Sequence, residues 1–266
     1  MKDRNATKRG KSLMAMLSIA SSIAQPVLAS KAMSVDAGTP TIVLVHGAFA
    51  DGSAWESVIP ILQKAGYKAI AVQEPLTSFA DDVAATKRVI DAQDGNVVAV
   101  GHSYGGAVIS AAAAGNPHVK ALVYVTAFAP EQGEKIGVLY EKFGKAPLLG
   151  ALRPDSAGFL YIDAKEYRNV FAADVPELKT NVMAVTQKPI AKTAFEGSIE
   201  HAPAWKSIPS WFFVANQDRA LLPELQRFMA KRMGAKTSEF KTSHVPFVSK
   251  PQEVAKFIMD AAKAAQ

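Results

Sequence analysis

The sequence predicts an α/β protein with a mostly parallel central sheet, helices on both faces and an inserted cap. Three observations carry that reading. Short apolar runs alternate with helix-period stretches from Thr41 onward, the alternation breaks between about residues 130 and 208, and it returns at Trp211. The 266 residues, 49% hydrophobic and 20% charged, hold enough apolar material for one large core.

Taken in order, residues 41–45 read as the first buried strand. Ser53-Ala54-Trp55-Glu56 has capping-box spacing, with Ser53 as N-cap of a helix that carries Val58, Ile61 and Leu62 on one face and stops near Gly66. Residues 68–72 form a second strand. Ser78 and Asp81 then open a helix in which Phe79, Val83, Thr86 and Ile90 share a face. Asp81 and Asp82 fall in its first turn, where carboxylates complement the helix dipole. Residues 96–100 make a third strand, 107–114 an alanine-rich helix stopped by Gly115-Asn116-Pro117, and 121–125 a fourth strand. Beyond the cap come a strand at 211–215, a helix from about 223 to 233 and a strand at 237–240. A closing helix starts at Ser249-Lys250-Pro251-Gln252, a second capping-box spacing, and runs to about 262.

Net charge is +6, and Lys2, Arg4, Lys8, Arg9 and Lys11 against Asp3 account for most of it. The remainder is near neutral, so no basic stripe argues for a nucleic-acid partner. The basic stretch precedes an uncharged, largely apolar run at 13–24, and Val27 and Ala29 suit the −3 and −1 sites of a cleavage signal. Residues 1–29 are therefore expected to be a signal peptide, with an uncleaved anchor or a disordered tail as the alternatives. The expected domain is 36–266. The mature protein is expected to be periplasmic or secreted, without stable membrane insertion, because the apolar run is short of the ~20 residues a span needs. The absence of cysteine excludes a disulfide framework, a thiolate metal site and a cysteine nucleophile. There is no H-E-x-x-H and no clustered His/Asp spacing, so neither metal nor cofactor is expected.

The chemistry concentrates at Gly101-His102-Ser103-Tyr104-Gly105, a G-x-S-x-G run between a strand and a helix. A turn that sharp leaves no room for side chains two residues either side of the serine, which explains both glycines. The helix that follows aims its free amides and positive end at an oxyanion. Ser103 is thus the candidate nucleophile. Its base should lie late in the chain, and of His46, His102, His118, His201 and His244 only His244 follows the last strand. The orienting acid should fall between them: Asp218, after the strand at 211–215, is preferred over Glu131, after the fourth strand. The oxyanion hole needs two backbone amides, assigned to Tyr104 and, across the loop Val45-His46-Gly47-Ala48-Phe49, to Ala48. Phe49 and His201 are the expected pocket residues. Asp51 is read as a turn residue ahead of a cap.

Val43-Leu44-Val45-His46-Gly47-Ala48-Phe49, Gly101-His102-Ser103-Tyr104-Gly105-Gly106, Asp218-Arg219 and Ser243-His244 together resemble the α/β-hydrolase superfamily. More narrowly, they resemble its small capped serine esterases, related to plant methyl esterases and hydroxynitrile lyases. The resemblance runs from about residue 40 to the C-terminus and is weakest across the cap. Haloalkane dehalogenases and epoxide hydrolases of this fold use an aspartate at the elbow, against Ser103 here. The resemblance implies a cofactor-free carboxylesterase acting on a small to medium ester. A hydroxynitrile-lyase-type C–C lyase, for which Lys188 or Lys192 would have to approach the triad, is one alternative. A non-catalytic small-ligand receptor or carrier is the other.

Overall fold

A computed structural model describes residues 38–265. The expected leader, its cleavage site and the first residues of the expected domain lie outside the described residues. From the first strand the order is β1 (Thr41–Val45), α1 (Ile59–Lys64), β2 (Ala69–Ala71), α2 (Phe79–Asp91), β3 (Val97–His102), α3 (Tyr104–Ala112) and β4 (Val119–Val125). An insertion follows: α4 (Ile136–Tyr140), α5 (Pro147–Ala151), β5 (Leu152–Pro154), β6 (Phe159–Ile162), α6 (Ala164–Phe171), α7 (Glu177–Thr186) and β7 (Ile190–Ala191). The chain then closes with β8 (Ser210–Ala215), α8 (Pro223–Arg232), β9 (Lys236–Phe240), α9 (Pro246–Ser249) and α10 (Pro251–Ala264).

Six strands form one sheet in the order β2-β1-β3-β4-β8-β9, every neighbouring pair parallel. The reason is visible in the sequence. Strands β1, β3 and β8 are wholly buried and read as unbroken apolar runs, the pattern of a sheet covered on both faces by crossover helices. The edge strand β9, by contrast, exposes four of its five residues, and Glu239 on it pairs with Arg227 at 2.8 Å. Helix α3 is buried all round, which its run of Gly, Ala, Val and Ile permits. The insertion, where no strong alternation was expected, builds a second small antiparallel sheet, β5-β6-β7, with four helices.

Two local expectations are corrected. Ser53 is not an N-cap: Asp51 takes that position, its carboxylate accepting from the Ser53 amide at 2.7 Å, and the first turn is a 3-10 helix over Gly52–Trp55. A charged acceptor two residues upstream displaces the hydroxyl, and Glu56 turns outward to Lys179, 3.2 Å away. Ser249 likewise caps nothing; its hydroxyl has no partner among the described residues, and Lys250 precedes Pro251 at the first position of α10. Proline there removes one of the amides a cap would satisfy. Asp82 lies in the first turn of α2, as expected, and there it turns inward. It is fully buried, and its carboxylate accepts from the Leu76 amide at 2.7 Å and the Tyr104 hydroxyl at 2.8 Å.

The close approach of α3 to the β1 loop depends on Gly105. A Cβ there would collide with the His46 carbonyl oxygen and lie 2.7 Å from that of Val45, both main-chain atoms that cannot step aside. Gly105→Ala is expected to cost about 1–3 kcal/mol or more. Gly150→Ala, in open space on α5, is expected to cost nothing. Urea unfolding of the two variants side by side measures the difference, and equal stabilities would refute the packing account.

Candidate active site

The three side chains singled out from the sequence converge at the carboxyl ends of the strands. Ser103 follows β3 with φ +51°, a conformation avoided by residues with a Cβ. It is held there by its own main chain: its amide donates to Val125 at 3.3 Å, and its carbonyl accepts from Gly106 at 3.0 Å and Phe128 at 2.9 Å. The Ser103 Oγ lies 2.9 Å from His244 Nε2, and His244 Nδ1 lies 2.7 Å from Asp218 Oδ2. All three residues are buried, Ser103 retaining 8% of its surface.

Asp218 accepts four hydrogen bonds. The amides of Ala220 and Leu221 donate to Oδ1, each at 2.8 Å, and Gln226 Nε2 donates to Oδ2 at 2.8 Å beside the imidazole. Three other donors already occupy the carboxylate, which leaves it an acceptor toward His244, so Nδ1 carries the proton and Nε2 is free to accept from the serine. The His244 carbonyl is anchored as well, by His102 Nε2 at 2.9 Å and the Thr126 hydroxyl at 3.0 Å. Glu131, the other acid weighed, points away to Lys206 at 2.6 Å. Gln226, His102 and Thr126 are the participants that sequence reasoning missed. Gln226 in particular gave no signal, since a glutamine on a surface-type helix pattern reads as solvent-facing.

Tyr104 follows the serine directly, and Ala48 follows Gly47, the residue of the β1 loop nearest to it. Gly47 lies so close that a Cβ on it would stand 2.8 Å from Ser103 Cβ. Neither the Ala48 nor the Tyr104 amide has a hydrogen-bond partner in the loops and turns among the described residues. Both are therefore free to bind a third atom.

A cleft of about 230 Å³ opens beside this cluster, with Phe49, Tyr167, Phe171, Met183 and Phe247 on its walls and the Glu56–Lys179 pair at its edge. Phe171, from the insertion, lines it and also packs against the His244 ring, 4.9 Å between centroids. Phe49 is thus where it was expected. His201 is not: it is exposed and belongs to no wall of the cleft, because the chain around it runs along the outside toward Gln132. Lys188 is bonded to the Glu74 carbonyl, and its ammonium makes no contact with the three central side chains; Lys192 is exposed.

Behind the loop that carries Ala48 lies a second buried cluster. His46 and Glu74 are both fully buried with Nδ1 and Oε2 3.5 Å apart, and neither Glu74 oxygen has a hydrogen-bond partner. Burial holds His46 down at about 4 and, with Asp82 nearby, pushes Glu74 well above the ordinary carboxylate range. The contact joins two neutral groups, not an ion pair. Burial also raises Asp82 and lowers His102.

A parallel sheet whose strand ends carry a hydrogen-bonded Ser–His–Asp series defines the hydrolase class of α/β proteins. Residues 42–257 match the alpha/beta hydrolase family, and the chain belongs to it. It is similar to a pyrethroid hydrolase of Sphingobium wenxiniae, 26% identical over 84% of this chain and 88% of that one. It is also similar to methylesterase 3 of Arabidopsis thaliana, 25% identical over 83% and 95%. Among solved structures, a pyrethroid hydrolase from Sphingobium faniae superposes with a TM-score of 0.74 at 24% identity, over 85% of this chain and 98% of that one.

A carboxyl that binds its proton more tightly folded than unfolded makes the fold lose stability as pH rises above its unfolded value, 4.5 for Glu74. Glu74→Gln has no such proton. Its stability relative to wild type is expected to climb between about pH 5 and pH 8, by up to about 1.4 kcal/mol per pH unit while Glu74 stays protonated. Urea midpoints across that range read the gap, and a gap independent of pH would contradict a neutral Glu74.

Proposed function

We propose that the protein is a serine esterase that cleaves small to medium carboxylic esters through an acyl-enzyme on Ser103. The observation that carries the reading is the unbroken chain Ser103 Oγ–His244–Asp218, with links of 2.9 and 2.7 Å. His244 Nε2 takes the serine proton as Oγ attacks the ester carbonyl, and Asp218 stabilises the imidazolium that results. The oxyanion is received by the Ala48 and Tyr104 amides, assisted by the N-terminus of α3. Collapse expels the alcohol, which leaves with the proton held on His244. A water deprotonated by the same imidazole then attacks the acyl carbonyl and releases Ser103.

The character of the cleft agrees with an uncharged ester. Aromatic and aliphatic side chains make up most of its walls, the Glu56–Lys179 pair is internally compensated, the Asp51 carboxylate is occupied by the Ser53 amide, and about 230 Å³ suits a compact acyl or alcohol group. The relatives named for ester hydrolysis, the Arabidopsis methylesterase and the Sphingobium pyrethroid hydrolase, support the same reaction class.

A panel of p-nitrophenyl esters of rising chain length, assayed on wild type, Ser103→Ala and Asp218→Asn, tests the proposal. Ser103→Ala is expected to lose turnover and fluorophosphonate labelling together. Asp218→Asn, which permits the wrong imidazole tautomer, is expected to fall about 10⁴-fold in kcat. Undiminished turnover by Ser103→Ala would refute the nucleophile.

A further inference from the structure

His46 has one neighbour that settles which nitrogen bears its proton. The Glu74 amide, only a donor, lies 3.1 Å from His46 Nε2, so Nε2 must accept. A neutral imidazole then carries its hydrogen on Nδ1, and Nδ1 lies 2.9 Å from the Gly47 carbonyl oxygen, which only accepts. Both contacts are met by one tautomer and by no other. Burial keeps the ring neutral.

The Gly47 carbonyl and the Ala48 amide are opposite ends of one rigid peptide unit. Holding the oxygen fixes where the N–H points, and a hydrogen bond to the oxygen polarises the N–H as a donor. The two flanking peptides differ in how they are held. The Ser103–Tyr104 unit has its carbonyl gripped by two main-chain amides, those of Gly106 and Phe128. The Gly47 carbonyl has one hydrogen-bond donor among the described residues, the His46 ring. The loop also needs holding, since Phe49, the residue after Ala48, adopts φ +63°.

We propose that His46 is a positioning residue of the oxyanion hole: through Nδ1–H and the Gly47 carbonyl it aims the Ala48 amide at the substrate oxygen. The inference rests on the reading of Ser103 as nucleophile. It implies that substitutions at His46 act on the transition state, with little effect on substrate binding.

The test uses two amide side chains that each keep half of the ring. Asn at position 46 retains a donor near Nδ1, whereas Gln reaches toward Nε2 and the Glu74 amide but offers nothing to Gly47. His46→Gln is expected to lower kcat about tenfold or more, short of the 10²–10³ of a lost donor, with KM nearly unchanged. A boronic acid that forms a tetrahedral adduct on Ser103 should lose affinity in parallel. His46→Asn should recover most of both. Equal losses in the two variants, a loss confined to KM, or no loss at all would overturn the proposal. Nitrogen-15 spectra of histidine-labelled wild type, with His46 assigned by difference from the variants, should show a protonated Nδ1 and an unprotonated Nε2. The reverse tautomer would overturn it even if no ester is turned over. An inactive wild type with the expected tautomer would instead count against the esterase reading.

Discussion

The tight turn from β3 into α3 governs the geometry of the whole catalytic end. A serine at φ +51° carries a backbone penalty of about 1–3 kcal/mol, and such a conformation persists only where its surroundings over-determine it. Here they do. The Ser103 amide and carbonyl are both engaged, a Cβ on Gly101 would stand 2.6 Å from the Gly105 carbonyl oxygen, and Gly105 lets α3 press onto the β1 loop. The same pressing brings Gly47, the residue before Ala48, against Ser103. Loosening the turn would misplace the Ser103 hydroxyl and the amides proposed as oxyanion donors in one movement. Phe49 and Thr126, at the ends of β1 and β4, share the positive φ, so three adjacent strands are turned sharply where the chemistry is concentrated.

Charge is distributed sparingly around that turn. Asp218 is the one carboxylate near the imidazole surrounded by donors, four of them, and that arrangement keeps it an acceptor. Glu74 and Asp82 are equally buried but are pushed toward their neutral forms, and His46 and His102 are held unprotonated by the same burial. A field from these four would otherwise act on the oxyanion and on His244 at close range in a low dielectric. Burial thus favours the neutral forms of these four groups, and the amides beside Ser103 and the end of α3 are the oriented dipoles next to the hydroxyl.

Much of this was legible in the sequence, for identifiable reasons. The parallel sheet followed from short apolar runs such as the one read at 96–100. The Ser103–Asp218–His244 series was read from a local motif and from chain order, and the structure brings those three together. Gln226, Thr126 and the Glu74–His46 pair were not legible, because their roles arise from contacts across long stretches of chain that no local pattern records. The errors were of one kind. Ser53 and Ser249 matched a capping spacing, yet a carboxylate at Asp51 and a proline at Pro251 had stronger local claims. Asp82 does hold its helix-dipole position, but its bond to Tyr104 joins two distant elements and left no local pattern. His201 was assigned to the pocket by its place in the insertion, which says nothing about which side of that insertion a residue faces.

The insertion leaves the sheet after Val125 and rejoins it at Ser210, on strands that are direct neighbours with Val125 paired to Phe213. Its two ends are therefore held together by the sheet itself, and lengthening or replacing what lies between adds little closure entropy. The insertion supplies Tyr167, Phe171 and Met183 to the cleft, while Ser103, Asp218 and His244 all belong to the sheet's own loops. One wall of the cleft and the Ser103–His244–Asp218 series are consequently written on separable stretches of chain, while Phe49 and Phe247 keep the rest of the cleft on the sheet's own loops. Evolution, or a designer grafting one cap for another, can redraw the first without reopening the second.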